Sequence, residues 1–590
     1  MRYSEIIEIY EKIEATTKRL EMTDFLVELF EKTPKEIIDK VIYLTQGKLY
    51  PDFVGIELGI AEKLAVRAIS MASGAGQGEV EKHLGEKGDL GLVAEQLIKS
   101  RRQATLFSKS LSAEGVYEIL EKVARAGGAG SVELKLRLLS GLLADAEPKE
   151  AKYILRTVTG KLRLGIADMT LLEALAIAYT ESKENRALIE RAYNLSSDLG
   201  DVAKTLAEKG LDGVKKYRVK VNRPIRMMLA QRLGVLEEIL EKLGGEAACE
   251  WKYDGERVQI HKKGSEVMLF SRRLENITLQ YPDACELARQ QLNAKEGIIE
   301  AECVAIDPET GELLPFQELM HRRRKYGIEK AKEKFPVSLY LFDVLYIDGE
   351  DFTEKAYSER RKKLRAIAKE SERLRLAEAL VSSDVKKIMR FFDKAIEAGC
   401  EGLILKSSSG IYQAGARGWL WIKLKRSYQS KMIEPIDVVI VGAFHGRGKR
   451  SGTYGALLAG VYDNDKDVFT TVCKVGSGFT DEDLKNLPGM LAPYALKHMH
   501  ARVSSEFKAD IWFTPAIVIE IIGDELTLSP VHTCAYGAIR EGSGIAVRFP
   551  RFTGRWRSDK APEDATTVEE IIEMYRAQLK KIEEVEEKAQ

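Results

Sequence analysis

The sequence predicts a multidomain protein of α and α+β type, with an all-helical domain over residues 1–215, a mixed α+β domain over 216–428 and a small β-barrel with a terminal helix over 429–590. Three observations predict it. Apolar residues recur at helical spacing through roughly the first 210 positions. β-rich runs then alternate with helical ones, and after Tyr428 the strands become short, closely spaced and separated by glycine-rich turns.

In the first region Ile6, Ile7, Tyr10 and Ile13 form one apolar stripe. Its helices are separated by Gly74-Ala75-Gly76-Gln77-Gly78 and Gly127-Gly128-Ala129-Gly130-Ser131. Such segments make turns, and the second could also bring exposed amides close to a phosphate. The basic stretch Lys215-Lys216-Tyr217-Arg218-Val219-Lys220, followed by Arg223-Pro224, reads as a linker or an opening strand. Beyond it, Val258–His261, Gly297–Glu302, Leu339–Val344 and Gly402–Lys406 read as strands, with helices over Glu359–Glu372 and Val385–Ala398 between them. Ile436–Ala443, Ala456–Tyr462, Val468–Lys474 and Ile517–Ile522 supply the barrel. A capping box, Thr567-Val568-Glu569-Glu570, starts a final helix whose apolar face (Ile571, Ile572, Tyr575, Leu579) is predicted to dock on another domain.

The chain has 590 residues, 45% apolar and 31% charged, with no run of about 18 apolar residues to cross a bilayer and no signal-peptide core at its start. A cytoplasmic setting without membrane contact is the expectation. Six scattered cysteines suggest neither a zinc knuckle nor a disulfide framework, so reduced, buried thiols are expected. Lys plus Arg and Asp plus Glu both number 91, so any nucleic-acid surface must be a local patch. The abundance of Glu, Lys and Arg suits ion-pair networks of a heat-adapted protein.

Glu250-Trp251-Lys252-Tyr253-Asp254-Gly255-Glu256-Arg257 packs a lysine, an acid, a turn glycine and an arginine beside a strand. Lys252 is the candidate nucleophile. A free lysine amine titrates near about 10.4, so attack on phosphorus needs surroundings that favour its neutral form. Arg257 is the cation expected to do this. Gly442–Lys449 superficially suggests a phosphate loop, but its spacing is wrong and Arg450 stands where Ser or Thr is required.

Further pieces follow in order: Ser271-Arg272-Arg273, Glu300-Ala301-Glu302, Tyr340-Leu341-Phe342-Asp343, Glu401 to Lys406, Trp421-Ile422-Lys423-Leu424-Lys425, Arg548-Phe549-Pro550-Arg551 and Ser558-Asp559-Lys560. With the lysine motif they resemble the covalent nucleotidyltransferases, most closely the ATP-dependent DNA ligases of archaeal and eukaryotic type. The resemblance extends to Gly160–Gly165, similar to the family's DNA-binding domain. It implies a helical DNA-binding domain, a nucleotidyltransferase (adenylation) domain and a C-terminal OB-fold. Lys252 would form the phosphoramidate to AMP, Glu250 would read the adenine edge, Glu302 would hold the ribose and Phe342 would stack on the purine. Arg257, Arg272, Arg417, Lys423 and Lys425 would surround the triphosphate and later the DNA 5′-phosphate. Arg548, Arg551 and Lys560 would act from a mobile barrel in the first step. The metal, magnesium with manganese as a substitute, would fall to Glu401, then Glu302 and Asp254.

The implied partner is nicked duplex DNA, in replication, repair and recombination. Gln103, Leu106 and Phe107 resemble a short sliding-clamp docking motif. Within the same chemistry the runner-up is an RNA ligase or capping-type guanylyltransferase, disfavoured by the helical extension and by Asp559-Lys560. A ligase using NAD is disfavoured by the lack of a cysteine cluster. Outside that chemistry stands a DNA-binding scaffold that has lost activity, against which Lys252, Arg257, Glu302, Glu401 and Lys423 are all in place.

Overall fold

The structure is a computed structural model that describes every residue except 103–109, 163, 308–312, 315, 321, 323–327, 426–433, 447–452, 524 and 588–590. The described residues between 3 and 214 form the expected helical region, running from helix Tyr3–Ala15 to helix Leu199–Val214. The predicted stripe of Ile6, Ile7, Tyr10 and Ile13 is buried in its core with Leu26, Phe30 and Leu155. Gly128 and Gly130 both have φ +79, which is why glycine serves in the turn before helix Ser131–Asp145. Gln103, Leu106 and Phe107 lie outside the described residues.

The central region contains two sheets. The first has strands β1 (Leu229–Arg232), β2 (Ala247–Lys252), β9 (Ala379–Ser382), β10 (Gly402–Lys406) and β11 (Arg417–Lys425), in the order β1-β11-β10-β2-β9. The second has β3 (Glu256–Lys263), β4 (Glu266–Ser271), β5 (Glu296–Ala305), β6 (Val337–Ile347), β7 (Glu350–Asp351) and β8 (Leu374–Leu376), in the order β4-β3-β5-β6-β7 with β8 parallel to β6. The chain passes from the first sheet to the second through Tyr253-Asp254-Gly255. A Cβ on Gly255 would lie 2.5 Å from the Cys303 carbonyl oxygen, so this crossing requires glycine. Tyr253 is buried and stacks on Tyr340 of the second sheet, with centroids 3.9 Å apart.

The C-terminal region is strand-rich, as expected. An eight-stranded sheet is built around β12 (Ile436–His445), β13 (Tyr454–Asp463) and β14 (Val468–Val475). Strands β15 (Ala495–Leu496), β16 (Val503–Ser504), β17 (Ile511–Phe513), β18 (Val518–Ile522) and β21 (Arg551–Trp556) complete it, while β19 (Glu525–Ser529) pairs β20 (Gly544–Arg548) separately. The terminal helix Val568–Glu587 buries Val568, Ile571 and Tyr575 against this core. All six cysteines are buried and free.

The three regions touch one another. Asp168 of the helical region pairs with Arg226 at 3.0 Å, and Ser197 donates to the Pro224 carbonyl. Arg19 donates to the Lys466 carbonyl at 3.0 Å. His500 lies so close to Gly165 that a Cβ there would be 2.2 Å from its Nε2. His500 is buried, its Nε2 has no hydrogen-bond partner, and burial pushes its titration down to about 3, with Arg502 and His498 adding to the shift.

Candidate active site

Lys252 is the last residue of β2, where the first sheet gives way to the second. Antiparallel pairing places Gly402 of β10 opposite both Lys252 and Lys425. The preceding residue, Glu401, therefore lies between two lysines. Its carboxylate is 2.6 Å from Lys252 Nζ and 2.9 Å from Lys425 Nζ, and its amide donates to the Lys252 carbonyl at 2.8 Å. Burial alone would raise the Glu401 carboxyl, but the two lysines outweigh it and hold it well below the usual carboxylate range.

Two more carboxyl groups share this corner. Burial pushes Glu302 up to about 8 against the opposing Lys252 and Arg257, with Glu401 and Asp254 adding to the rise. Burial, then Glu401, raises Asp254, whose Oδ2 accepts from the Phe316 amide at 3.2 Å. Among the described residues no group of three or more His, Cys, Asp and Glu is arranged as a ready metal cage. Magnesium does not need one, since it binds through one or two carboxylates plus phosphate oxygens and water. The donor set fits that use, because two of these acids are disfavoured as anions until a cation joins them.

The expected cationic neighbour of Lys252 requires correction. Arg257 turns to Glu300 at 2.7 Å and to the Met228 carbonyl at 2.6 Å, with its guanidinium 5.3 Å from the ring centres of both Phe342 and Trp421. The direct neighbour of the Lys252 amine is the anion Glu401, so the amine must part from that carboxylate before it can attack.

Phe342 on β6 is partly buried and meets Trp421 edge-on at 6.2 Å. Glu250 is 2% exposed and held on both oxygens: Lys406 stands 2.5 Å from Oε2, Arg361 3.1 Å from Oε1, and Tyr357 donates its hydroxyl to Oε1. Arg417, the first residue of β11, and Lys423 further along the same strand both reach Glu570 of the terminal helix, at 3.2 and 3.1 Å. Burial lowers Lys423 to about 7 against the pull of Glu570. Arg272 pairs with Asp564 at 3.2 Å.

Three family models match in order along the chain: "DNA ligase N terminus" over residues 2–176, "ATP dependent DNA ligase domain" over 227–425 and "ATP dependent DNA ligase C terminal region" over 450–560. "DNA ligase 2" of Thermofilum pendens is 56% identical over 98% of this chain and 98% of its own length. The chain belongs to the ATP-dependent DNA ligase family. "DNA ligase" of Staphylothermus marinus is 53% identical over 99% of this chain and all of its own, and "Probable DNA ligase" of Aquifex aeolicus is 52% identical over 98% and 99%.

In this ligase the C-terminal region closes on the adenylation domain through residues only partly singled out in the sequence. Arg273 donates to the Ser558 carbonyl at 2.8 Å, and within the C-terminal region Lys560 pairs with Asp437 while Arg557 reaches Asp437 at 3.0 Å and Asp559 at 2.8 Å. Lys560 is close enough to Arg272 and Lys423 to perturb or be perturbed by their charge. Arg548, the last residue of β20, and Arg551, the first of β21, are exposed and flank the turn between these strands, with Arg548 5.0 Å from the ring centre of Phe549. Sequence reading overlooked Arg557, Asp564 and the partner role of Glu570. The capping box did mark Glu570: Thr567 and Glu570 exchange hydrogen bonds at 2.9 and 3.3 Å while the same carboxylate holds the two cations.

Proposed function

We propose that this ligase seals nicks in duplex DNA through an adenylate carried on Lys252. The observation that carries this reading is the Lys252–Glu401–Lys425 arrangement where the first sheet gives way to the second, beside Glu302 and Asp254. In the first displacement the Lys252 nitrogen bonds to the ATP α-phosphorus, loses a proton, and diphosphate leaves. In the second an oxygen of the nick 5′-phosphate bonds to that phosphorus, the P–N bond breaks and the amine regains a proton. In the third the 3′-hydroxyl oxygen attacks the 5′-phosphorus, loses its proton and expels AMP.

Glu250 reads the adenine edge, Phe342 lies against the base and Glu302 holds the ribose. A Glu302 carboxyl protonated below about 8 can both donate to and accept from sugar hydroxyls. Arg257, Arg272, Arg417, Lys423 and Lys425 supply the fixed positive charge that transferring phosphoryl groups require. Bound magnesium, or manganese in its place, would neutralise phosphate charge; Glu401 leads the residues that would hold it, with Glu302 and Asp254 behind. Arg548, Arg551, Arg557 and Lys560 act from the C-terminal domain in the first step and withdraw for DNA. The domains proposed are 1–215, 216–428 and 429–590.

A sliding clamp is proposed as a partner through Gln103, Leu106 and Phe107, tested by deleting 103–107 and measuring clamp affinity. No helix among the described residues is long and apolar enough to cross a membrane, and a cytoplasmic setting is proposed. The deciding experiment incubates the protein with ATP, ADP, GTP or NAD and a nicked DNA duplex, then maps tryptic peptides. Sealing with ATP and one added AMP on the Lys252 peptide are expected; modification elsewhere, or labelling by GTP alone, overturns the reading.

A further inference from the structure

Lys406 is the last residue of β10, 1% exposed, and its ammonium is enclosed by three aromatic rings. The ring centres of Trp421, Phe342 and Tyr357 lie 4.3, 4.8 and 4.8 Å from Nζ. Its polar contacts are Glu250 Oε2 at 2.5 Å and the Phe342 carbonyl at 3.4 Å. Lys406 thus touches both residues assigned to the base, the carboxylate at its edge and the ring at its face.

Nothing in folding alone calls for this cluster. A buried ion pair contributes little net stability, and apolar replacements of similar volume are often as stable or more so. Here a carboxylate, an ammonium, a guanidinium and a phenol are all withdrawn from water beside one pocket. Burial lowers the titration of Lys406 while Glu250 opposes the shift.

The donors around Glu250 can be counted. Oε1 accepts from both Arg361 and Tyr357, and Oε2 takes Lys406. An ionised carboxylate offers about four lone-pair sites, roughly two on each oxygen, so one acceptor position on Oε2 is left. A carboxylate held by two cations accepts and does not donate. The 6-amino group of adenine is a donor at that edge, whereas a 6-oxo purine presents an acceptor and meets repulsion.

We infer that Lys406 is a positioning residue for base selection: by anchoring Glu250 Oε2 beside Phe342 it makes the pocket accept a 6-amino purine and refuse a 6-oxo purine. Removing the ammonium leaves Oε2 without its anchor, free to turn or to take a proton and become a donor. Selectivity then fades while the phosphate machinery at Lys252 is untouched. This inference rests on the reading of Glu250 in the preceding section.

The test compares three triphosphates in self-adenylylation by the full chain: ATP, purine riboside triphosphate with hydrogen at position 6, and inosine triphosphate with oxygen there. In Lys406→Met the kcat/KM advantage of ATP over inosine triphosphate is expected to fall at least about tenfold, mostly through KM. Purine riboside triphosphate should change by less than about threefold, and Lys406→Arg should restore part of the preference. An unchanged ATP to inosine triphosphate ratio, or an equal loss for all three nucleotides, overturns the inference and leaves Lys406 a structural residue. Should Lys406→Met not fold, Tyr357→Phe keeps the ring and removes one donor from Glu250. It is expected to relax the ratio about threefold, and no change there equally overturns the inference. Glu250→Gln separates the two layers. If it preserves the ratio, Glu250 does not read the base and the parent assignment fails. If it collapses the ratio while the Lys406 and Tyr357 variants do not, the positioning role alone fails.

Discussion

Glu570 holds its carboxylate 3.1 Å from Lys423 Nζ, so a residue of the terminal helix occupies a cation assigned to phosphate. The same carboxylate is 3.2 Å from Arg417. An anion brought by one domain thereby stands in for the charge that nucleotide or DNA would bring to another. A charge-assisted contact contributes roughly 1.5–3 kcal/mol, enough to shift a domain equilibrium by about tenfold to a hundredfold.

Glu570→Gln removes the negative charge but keeps an oxygen able to accept from Thr567. Nicked duplex DNA is expected to bind this variant about tenfold more tightly at fixed salt, because Arg417 and Lys423 no longer face a built-in competitor. Fluorescence anisotropy with a labelled nick measures this, and an unchanged affinity would show that the contact does not compete.

Lys252→Ala removes the nucleophile of the first displacement but no participant in the third. The variant should gain no AMP by intact mass and fail on an ordinary nick, yet still seal a nick that already carries 5′-adenylate. Loss of that last activity as well would mean that Lys252 is also needed to keep Glu401 in place.

Gly402 has φ +147, and a Cβ on it would lie 2.2 Å from the Leu424 carbonyl oxygen. Gly402→Ala must separate β10 from β11 at the level where Glu401 joins Lys252 to Lys425. A stability loss of about 1–3 kcal/mol is expected, with a more than tenfold fall in the rate of AMP transfer to Lys252. Denaturant unfolding and single-turnover labelling test the two effects; a wild-type rate would show that the strand spacing does not set the site.

His500 titrates near about 3 in the folded chain, far below its ordinary 6.5, so the fold holds it neutral. Opened, the same ring takes up a proton as pH drops below about 6.5. Docking against Gly165 should therefore weaken as pH falls through that point, by up to about 1.4 kcal/mol per pH unit, with the loss complete only near 3. Small-angle scattering should show a larger radius of gyration at pH 5 than at pH 7.5, and His500→Gln should lessen the difference. An equal expansion in both proteins would place the switch elsewhere.

The helical first region, the central strands and the strand-rich end were legible because each has its own apolar period. The lysine segment was legible because its parts are local: Gly255 allows the crossing that carries the chain from one sheet to the next. The predicted helix Glu359–Glu372 stops at Ile367, followed by β8, which pairs with β6 from far away in sequence. The orientation of Arg257 was not legible. Its register partner on β5 is Glu302, but its guanidinium takes the diagonal neighbour Glu300, a choice made by Met228 and Tyr412 on other segments. Glu570, Asp564 and Arg557 escaped for the same reason, since Arg417 and Lys423, Arg272 and Asp437, the distant partners they meet, each lie more than a hundred residues away.

Gly165 against His500 joins the first third of the chain to the last, while each also leans on the middle. With these junctions closed the three regions form one continuous ring of contacts, and any rearrangement of one region against another must first part at least one of them. Tightening these seams for heat resistance would slow turnover unless the seams remained as easy to part as they are to close.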